Sequence, residues 1–86
     1  MTRSATQRNA RHYAEDVIAY AHRIVASTKT GSCTFGQIEE RAHLAPDHDR
    51  LSTYSGRLEH DACRLILRTM LTGGIGNATI ADLDWI

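Results

Sequence analysis

Apolar residues recur along this chain at helical spacing in three stretches, separated by breaks rich in polar residues or glycine. From about Asn9, the positions Tyr13, Val17, Tyr20, Ala21, Ile24 and Thr28 follow one another mainly at steps of three and four. That spacing predicts an amphipathic helix that buries one stripe. Lys29, Thr30 and Gly31 should end it, because Gly31 suits the left-handed position after a helix and Lys29 complements the negative end of the helix dipole. Residues 1–8 carry no periodic apolar face, so they are expected to form a flexible basic arm ahead of a single helical domain spanning 9–86.

The second stretch opens on Thr34 and Gln37, which have the spacing of a capping box: the hydroxyl accepts from one orphan backbone N–H and the amide side chain returns to another. Cys33 and Ile38 stand where a hydrophobic staple would cross that start. A helix is therefore predicted from Phe35 to about Leu44, with Pro46 discouraging its continuation. A third helix should begin near Leu51 or Ser52 and turn Leu51, Tyr54, Leu58, Ala62, Leu65, Ile66 and Thr69 inward. Between Ala62 and Leu71 only Arg64, Arg68 and Thr69 are polar. This half should be central in the domain or packed on a second copy, with Leu67, Met70, Leu71 and Trp85 as interface residues. A strand over Leu65 to Leu71 is the competing reading. After the turn at Gly73, Gly74, Gly76 and Asn77, the residues Ala81, Leu83 and Trp85 alternate with Asp82 and Asp84, which predicts a short extended C-terminal tail with Trp85 buried.

Composition narrows the functional classes. The 86 residues make one domain with a modest core that a partner chain could complete, and ten Lys/Arg balance ten Asp/Glu. A molecule with no net charge has no long-range field to draw it to nucleic acid or to an anionic membrane, so such binding would need a local patch. The first residues lack the apolar core of a signal peptide, and no apolar run approaches the roughly 20 residues of a membrane span. A soluble cytoplasmic protein without membrane contact is expected. Cys33 and Cys63 both lie in helix-like sequence, where free buried thiols are common and disulfides in a reducing compartment are rare.

The segment I-E-E-R-A-H-L-A followed by S-T-Y-S-G-R-L resembles the helix-turn-helix and winged-helix DNA-binding families over about residues 34–58. Ile38, Ala42 and Leu44 match apolar positions of the first helix, and Thr53, Tyr54, Ser55 and Leu58 match the recognition helix. Glu39 stands where alanine is usual, His43 replaces the turn glycine, and the connector is longer than the tight turn. The resemblance implies a mainly α, three-helix helix-turn-helix or winged-helix-like domain acting as a small DNA-binding transcriptional regulator. It would direct Ser52, Thr53, Ser55 and Arg57 toward a DNA groove.

The basic Arg3, Arg8, Arg11 and Lys29 are further candidates for phosphate contact. Carboxylates at Glu39, Glu40, Asp47, Asp49, Glu59 and Asp61 oppose that reading. Together with the neutral charge, they favour the alternative of a protein-binding module or inhibitor, for example a small phage-encoded blocker of a host or defence complex. His60 and Cys63 are three apart, a usable ligand spacing, and Cys33, His43 and His48 complete a set of possible donors. Neither a C-x-x-C pair nor an H-x-x-x-H pair accompanies them, so no metal is expected. No nucleophile motif, glycine loop or cofactor fingerprint is present either, so neither a cofactor nor enzymatic activity is expected.

Overall fold

The computed structural model describes residues 5–45, 47–83 and 85, with side chains described from His12 onward. Three α-helices dominate: α1 (Ala5–Thr30), α2 (Phe35–Ala42) and α3 (Tyr54–Thr69). Short 3₁₀ turns at Asp49–Ser52, Met70–Thr72, Ile75–Asn77 and Ile80–Leu83 connect and follow them. The mainly α expectation holds, and among the described residues there is no strand.

Helix α1 starts at Ala5, so Thr6, Gln7 and Arg8 of the expected arm lie within the helix; residues 1–4 of that arm lie outside the described residues. Its end follows the sequence reading. Gly31 takes a φ of +83°, Ser32 N–H donates to the Ser27 carbonyl at 3.0 Å and Gly31 N–H to that of Thr28 at 3.3 Å. This is the Schellman pattern, which satisfies carbonyls the helix itself leaves without donors.

Helix α2 begins as expected. Gln37 N–H donates to Thr34 Oγ1 at 3.2 Å, and Thr34 N–H donates to Gln37 Oε1 at 2.9 Å, closing the box. The helix stops at Ala42, short of Leu44, because the next amides turn to tighter partners: His43 N–H donates to Glu40 O at 3.3 Å and Leu44 N–H to Arg41 O at 3.4 Å. The Thr34→Ala variant should lose about 1 kcal/mol of stability, as N-cap removal does. Thr30→Ala removes only exposed hydroxyl contacts and should change little. Coincident urea curves for the two variants would detach the α2 boundary from its cap.

The helical reading of 65–69 holds against its strand rival, and the extended tail is corrected. Residues 65–69 stay helical, because their buried positions Leu65, Ile66 and Thr69 keep the helical period set by Ala62 and pack on one side. The tail is a 3₁₀ turn over Ile80–Leu83 rather than an extended segment. Asp82 holds it locally, its carboxylate accepting from Thr79 N–H at 2.8 Å while its own N–H donates to Thr79 O at 3.0 Å. A lone extended tail has no neighbouring strand to satisfy its backbone, whereas an Asp-capped turn satisfies it within four residues.

The expected start of the third helix also moves. Asp49–Ser52 forms a 3₁₀ turn, and Thr53 becomes the N-cap of α3, its Oγ1 accepting from Gly56 N–H at 3.0 Å. Helix α3 is central, packing on α1, α2 and the flanking turns. The core combines Val17, Ala21 and Ile24 of α1, Ile38 and Ala42 of α2, and Ala62, Cys63, Leu65 and Ile66 of α3, closed by Ile75 and Leu83 from the tail. Tyr54, expected to face inward, is 57% exposed, and Leu51 and Leu58 are only half-buried. Both cysteines are free. Among the described residues no helix is long and apolar enough to cross a membrane.

Candidate nucleic-acid interface

Because one side of α3 is buried in the core, its polar residues are sorted by helical phase. At 3.6 residues per turn, Arg57, His60, Arg64, Leu67 and Arg68 fall within an arc of about 100° on the side opposite Ala62 and Ile66. Arg57 and Arg68 are exposed, and His60, Arg64 and Leu67 are half-buried. Three guanidiniums and an imidazole thus share the outward face.

The carboxylates of α3 have partners within the fold. Glu59 receives Arg41 Nε at 2.7 Å from α2 and stands 3.8 Å from Arg50 of the connector. Asp61 is 8% exposed and accepts the Tyr13 hydroxyl from α1, with His60 Nδ1 at 3.3 Å from its other oxygen. Burial, reinforced by that bond to Asp61, pushes the Tyr13 hydroxyl well above the usual phenol range, so it remains a donor. Glu59 is therefore ion-paired within the fold, whereas Asp61 is hydrogen-bonded by a neutral hydroxyl and keeps its charge, and Glu39, Glu40, Asp47 and Asp49 are exposed.

The far end of the face is organised by the tail. The Arg64 guanidinium lies 4.5 Å from the Trp85 ring centroid and that of Arg68 lies 5.3 Å from it, both within cation–π range. Trp85 Nε1–H donates to Asp82 O at 2.7 Å, which fixes the ring on the 3₁₀ turn. Trp85 is half-buried rather than buried: it packs against the edge of the core while Arg64 and Arg68 lie on its ring. Two clefts border His60. One, of about 320 Å³, is lined by Leu51, Arg57, His60, Asp61 and Arg64. The other, of about 420 Å³, lies against the end of α2, where His43 and Leu44 face His60, Arg64 and Arg68.

The residues singled out from the sequence are dispersed. Arg57 lies on the cationic face, and Ser55 is exposed in the first turn of α3. Thr53 caps that helix and donates its hydroxyl proton to Arg50 O at 3.0 Å, and Ser52 donates to Asp49 O at 2.7 Å. Both protons are thus used within the turn. Tyr54 donates to Asp16 Oδ2 at 2.6 Å and meets the Tyr13 ring edge-on at 5.6 Å, which docks the start of α3 on α1. Lys29 lies 13 residues beyond Asp16 on α1, about 20 Å of helix away, so it does not join the start of α3. Arg3 and the side chains of Arg8 and Arg11 lie outside the described residues. Of the expected interface residues, Leu71 is 90% and Met70 55% exposed, while Leu67 is half-buried.

Arg64, Arg68 and His60 were not among the nucleic-acid candidates read from the sequence. The four-residue step between the two arginines, and the seven-residue step back to Arg57, carried that signal. Among the described residues no group of three His, Cys, Asp or Glu side chains is placed to hold a metal ion. Cys63 is fully buried, and burial pushes its thiol up to about 12, so it stays protonated and apolar in character. No family model, curated protein or solved structure matches the chain.

Proposed function

We propose that this chain is a small non-enzymatic DNA-binding regulator of helix-turn-helix type that engages duplex phosphates through the outward arginines of α3. One observation carries the reading: Arg57, Arg64 and Arg68 share the exposed side of that helix, while its two carboxylates are occupied by Arg41, Arg50 and Tyr13. A neutral chain thereby acquires a local cationic surface, which is what phosphate contact requires. Pairing of two copies through exposed Met70 and Leu71, with Leu67 and Trp85 alongside, belongs to the same proposal, since a two-fold dimer presents two such helices to one duplex.

The test is titration of a random duplex across a salt series. Log affinity should fall linearly with log salt, with a slope of about −0.9 for each phosphate neutralised. Arg64→Ala should weaken all sequences alike and reduce the slope by about 1, whereas Arg57→Ala should also relax sequence preference if its guanidinium reaches a guanine edge. Absence of duplex affinity at about 50 mM salt, where non-specific phosphate binding is strong, would end this reading. The protein-binding or inhibitor alternative, which draws on the zero net charge and on exposed Met70, Leu71 and Ile80, would then take its place.

A further inference from the structure

His60 differs from the arginines around it in having a charge that depends on pH. It lines both clefts of the cationic face, between Arg57 and Arg64 on one side and beside His43 and Arg68 on the other. Its ring is held from behind. Asp61 offers only acceptor oxygens as a carboxylate, so the contact at 3.3 Å places the proton of neutral His60 on Nδ1. Asp61 is in turn held by the Tyr13 hydroxyl across 48 residues of sequence. This leaves Nε2 as the ring nitrogen for a ligand in the clefts, and in the neutral tautomer Nε2 is an acceptor that offers nothing to a phosphate. Protonation turns it into a charged donor without disturbing the bond to Asp61.

We infer that His60 is a proton-dependent phosphate contact, seated between Arg57 and Arg64 and oriented by the Asp61–Tyr13 pair, so that the site takes a phosphate dianion or diester more tightly as pH falls. The inference rests on the nucleic-acid reading for its ligand and adds the regulation of that site. The charged and titratable groups facing His60 are Arg57, Asp61, Arg64 and Arg68 on its own helix and His43 from the end of α2. Leu51 is the connector residue at the cleft, and Tyr13 of α1 acts through Asp61. A bound phosphate is attracted to a protonated ring and favours its protonation in return. Phosphate binding and proton uptake therefore reinforce one another, and affinity rises as pH falls through the imidazole range.

The experiment compares random-duplex affinity at pH 6 and pH 8 for the unmodified chain, His60→Gln, His60→Lys and His43→Gln, with folding checked by circular dichroism. The unmodified chain should bind about five- to tenfold more tightly at pH 6, as gain of one charge-assisted contact to phosphate predicts, and its salt slope there should be steeper by about 0.9. His60→Gln should abolish both differences, His43→Gln should retain them, and His60→Lys should bind equally at the two pH values. A second probe is sulfate, whose charge is constant over this range: it should shift the His60 ring resonances at pH 6 and not at pH 8. A chain that binds no duplex but shows that sulfate response loses the DNA reading and keeps the proton-dependent anion site. Duplex binding that is insensitive to pH, or a pH effect that survives in His60→Gln, overturns the role of His60 and leaves the DNA reading standing. The absence of both duplex binding and a sulfate response overturns both.

Discussion

Gly56→Ala is expected to destabilise the protein by about 3 kcal/mol, the upper range for forcing extra volume into a packed site. Glycine to alanine within a helix ordinarily stabilises by up to about 1 kcal/mol, so the expected sign is reversed here. The reason is a close approach of two pieces of backbone. A Cβ at position 56 would stand 1.7 Å from the Arg50 carbonyl oxygen, 2.6 Å from its carbon and 2.8 Å from Thr53 Oγ1. Rotating a side chain relieves none of the first two contacts. The Arg50 carbonyl also accepts from Thr53 N–H and from the Thr53 hydroxyl, so moving it dismantles the 3₁₀ turn that leads into α3. Gly36→Ala is the control. Its nearest neighbour would be Thr34 Oγ1 at 3.9 Å, and it should be neutral or stabilising. Urea denaturation of the two variants measures the contrast, and a Gly56→Ala protein as stable as Gly36→Ala would mean that the Asp49–Ser52 turn does not seat against α3.

Leu65→Ala should cost about 2–5 kcal/mol, the range for removing a buried leucine side chain and leaving a partly collapsed cavity. Leu65 is fully buried in the second half of α3, within the shared core. In a domain of this size the loss approaches half of the total stability or more. Leu71, six residues on and 90% exposed, has the same chemistry and the opposite surroundings. Leu71→Ala should change the stability of the monomer by no more than about 0.5 kcal/mol. If two copies pair through this surface, the unmodified chain should show a melting temperature that rises with protein concentration, and Leu71→Ala should flatten that dependence. Equal losses for Leu65→Ala and Leu71→Ala at low concentration would contradict the burial of Leu65 in α3 and the exposure of Leu71 in the turn that follows it.

Features that depend on residues within one helical turn of each other were legible in the chain. The Thr34–Gln37 box, the end of α1 at Gly31 and the stripe of Val17, Ala21 and Ile24 each involve partners three or four residues apart, so the spacing of residue types already states the contact. The same local rules placed the start of the third helix near Leu51 or Ser52, ahead of where it lies. The Asp49–Ser52 turn is seated against Gly56, and the helix begins after it with Thr53 as its N-cap. The tail misled in another way. Alternation of Ala81, Leu83 and Trp85 is a strand pattern only when a neighbouring strand exists to receive it, and with none among the described residues the Asp82 cap prevailed.

The candidate site divides along the same line. Arginines at 57, 64 and 68 share a face by helical phase alone, and that much was determined by the order of residues. How the carboxylates of the face are engaged depended on other elements: Arg41 on α2 and Arg50 in the connector pair with Glu59, and Tyr13 on α1 hydrogen-bonds Asp61 without cancelling its charge. Trp85 reaches Arg64 and Arg68 only because the chain turns back after Gly73 and Gly74, both at positive φ. Such contacts join residues far apart in sequence and leave no periodic trace in it. The chain by itself determined three helices, the Thr34 cap of α2, the Gly31 end of α1 and the phase of their faces, since these follow from backbone geometry over a few residues. Tertiary packing decided which charges remain free to meet a ligand, since each charge is cancelled or exposed by a neighbour that only the folded arrangement supplies.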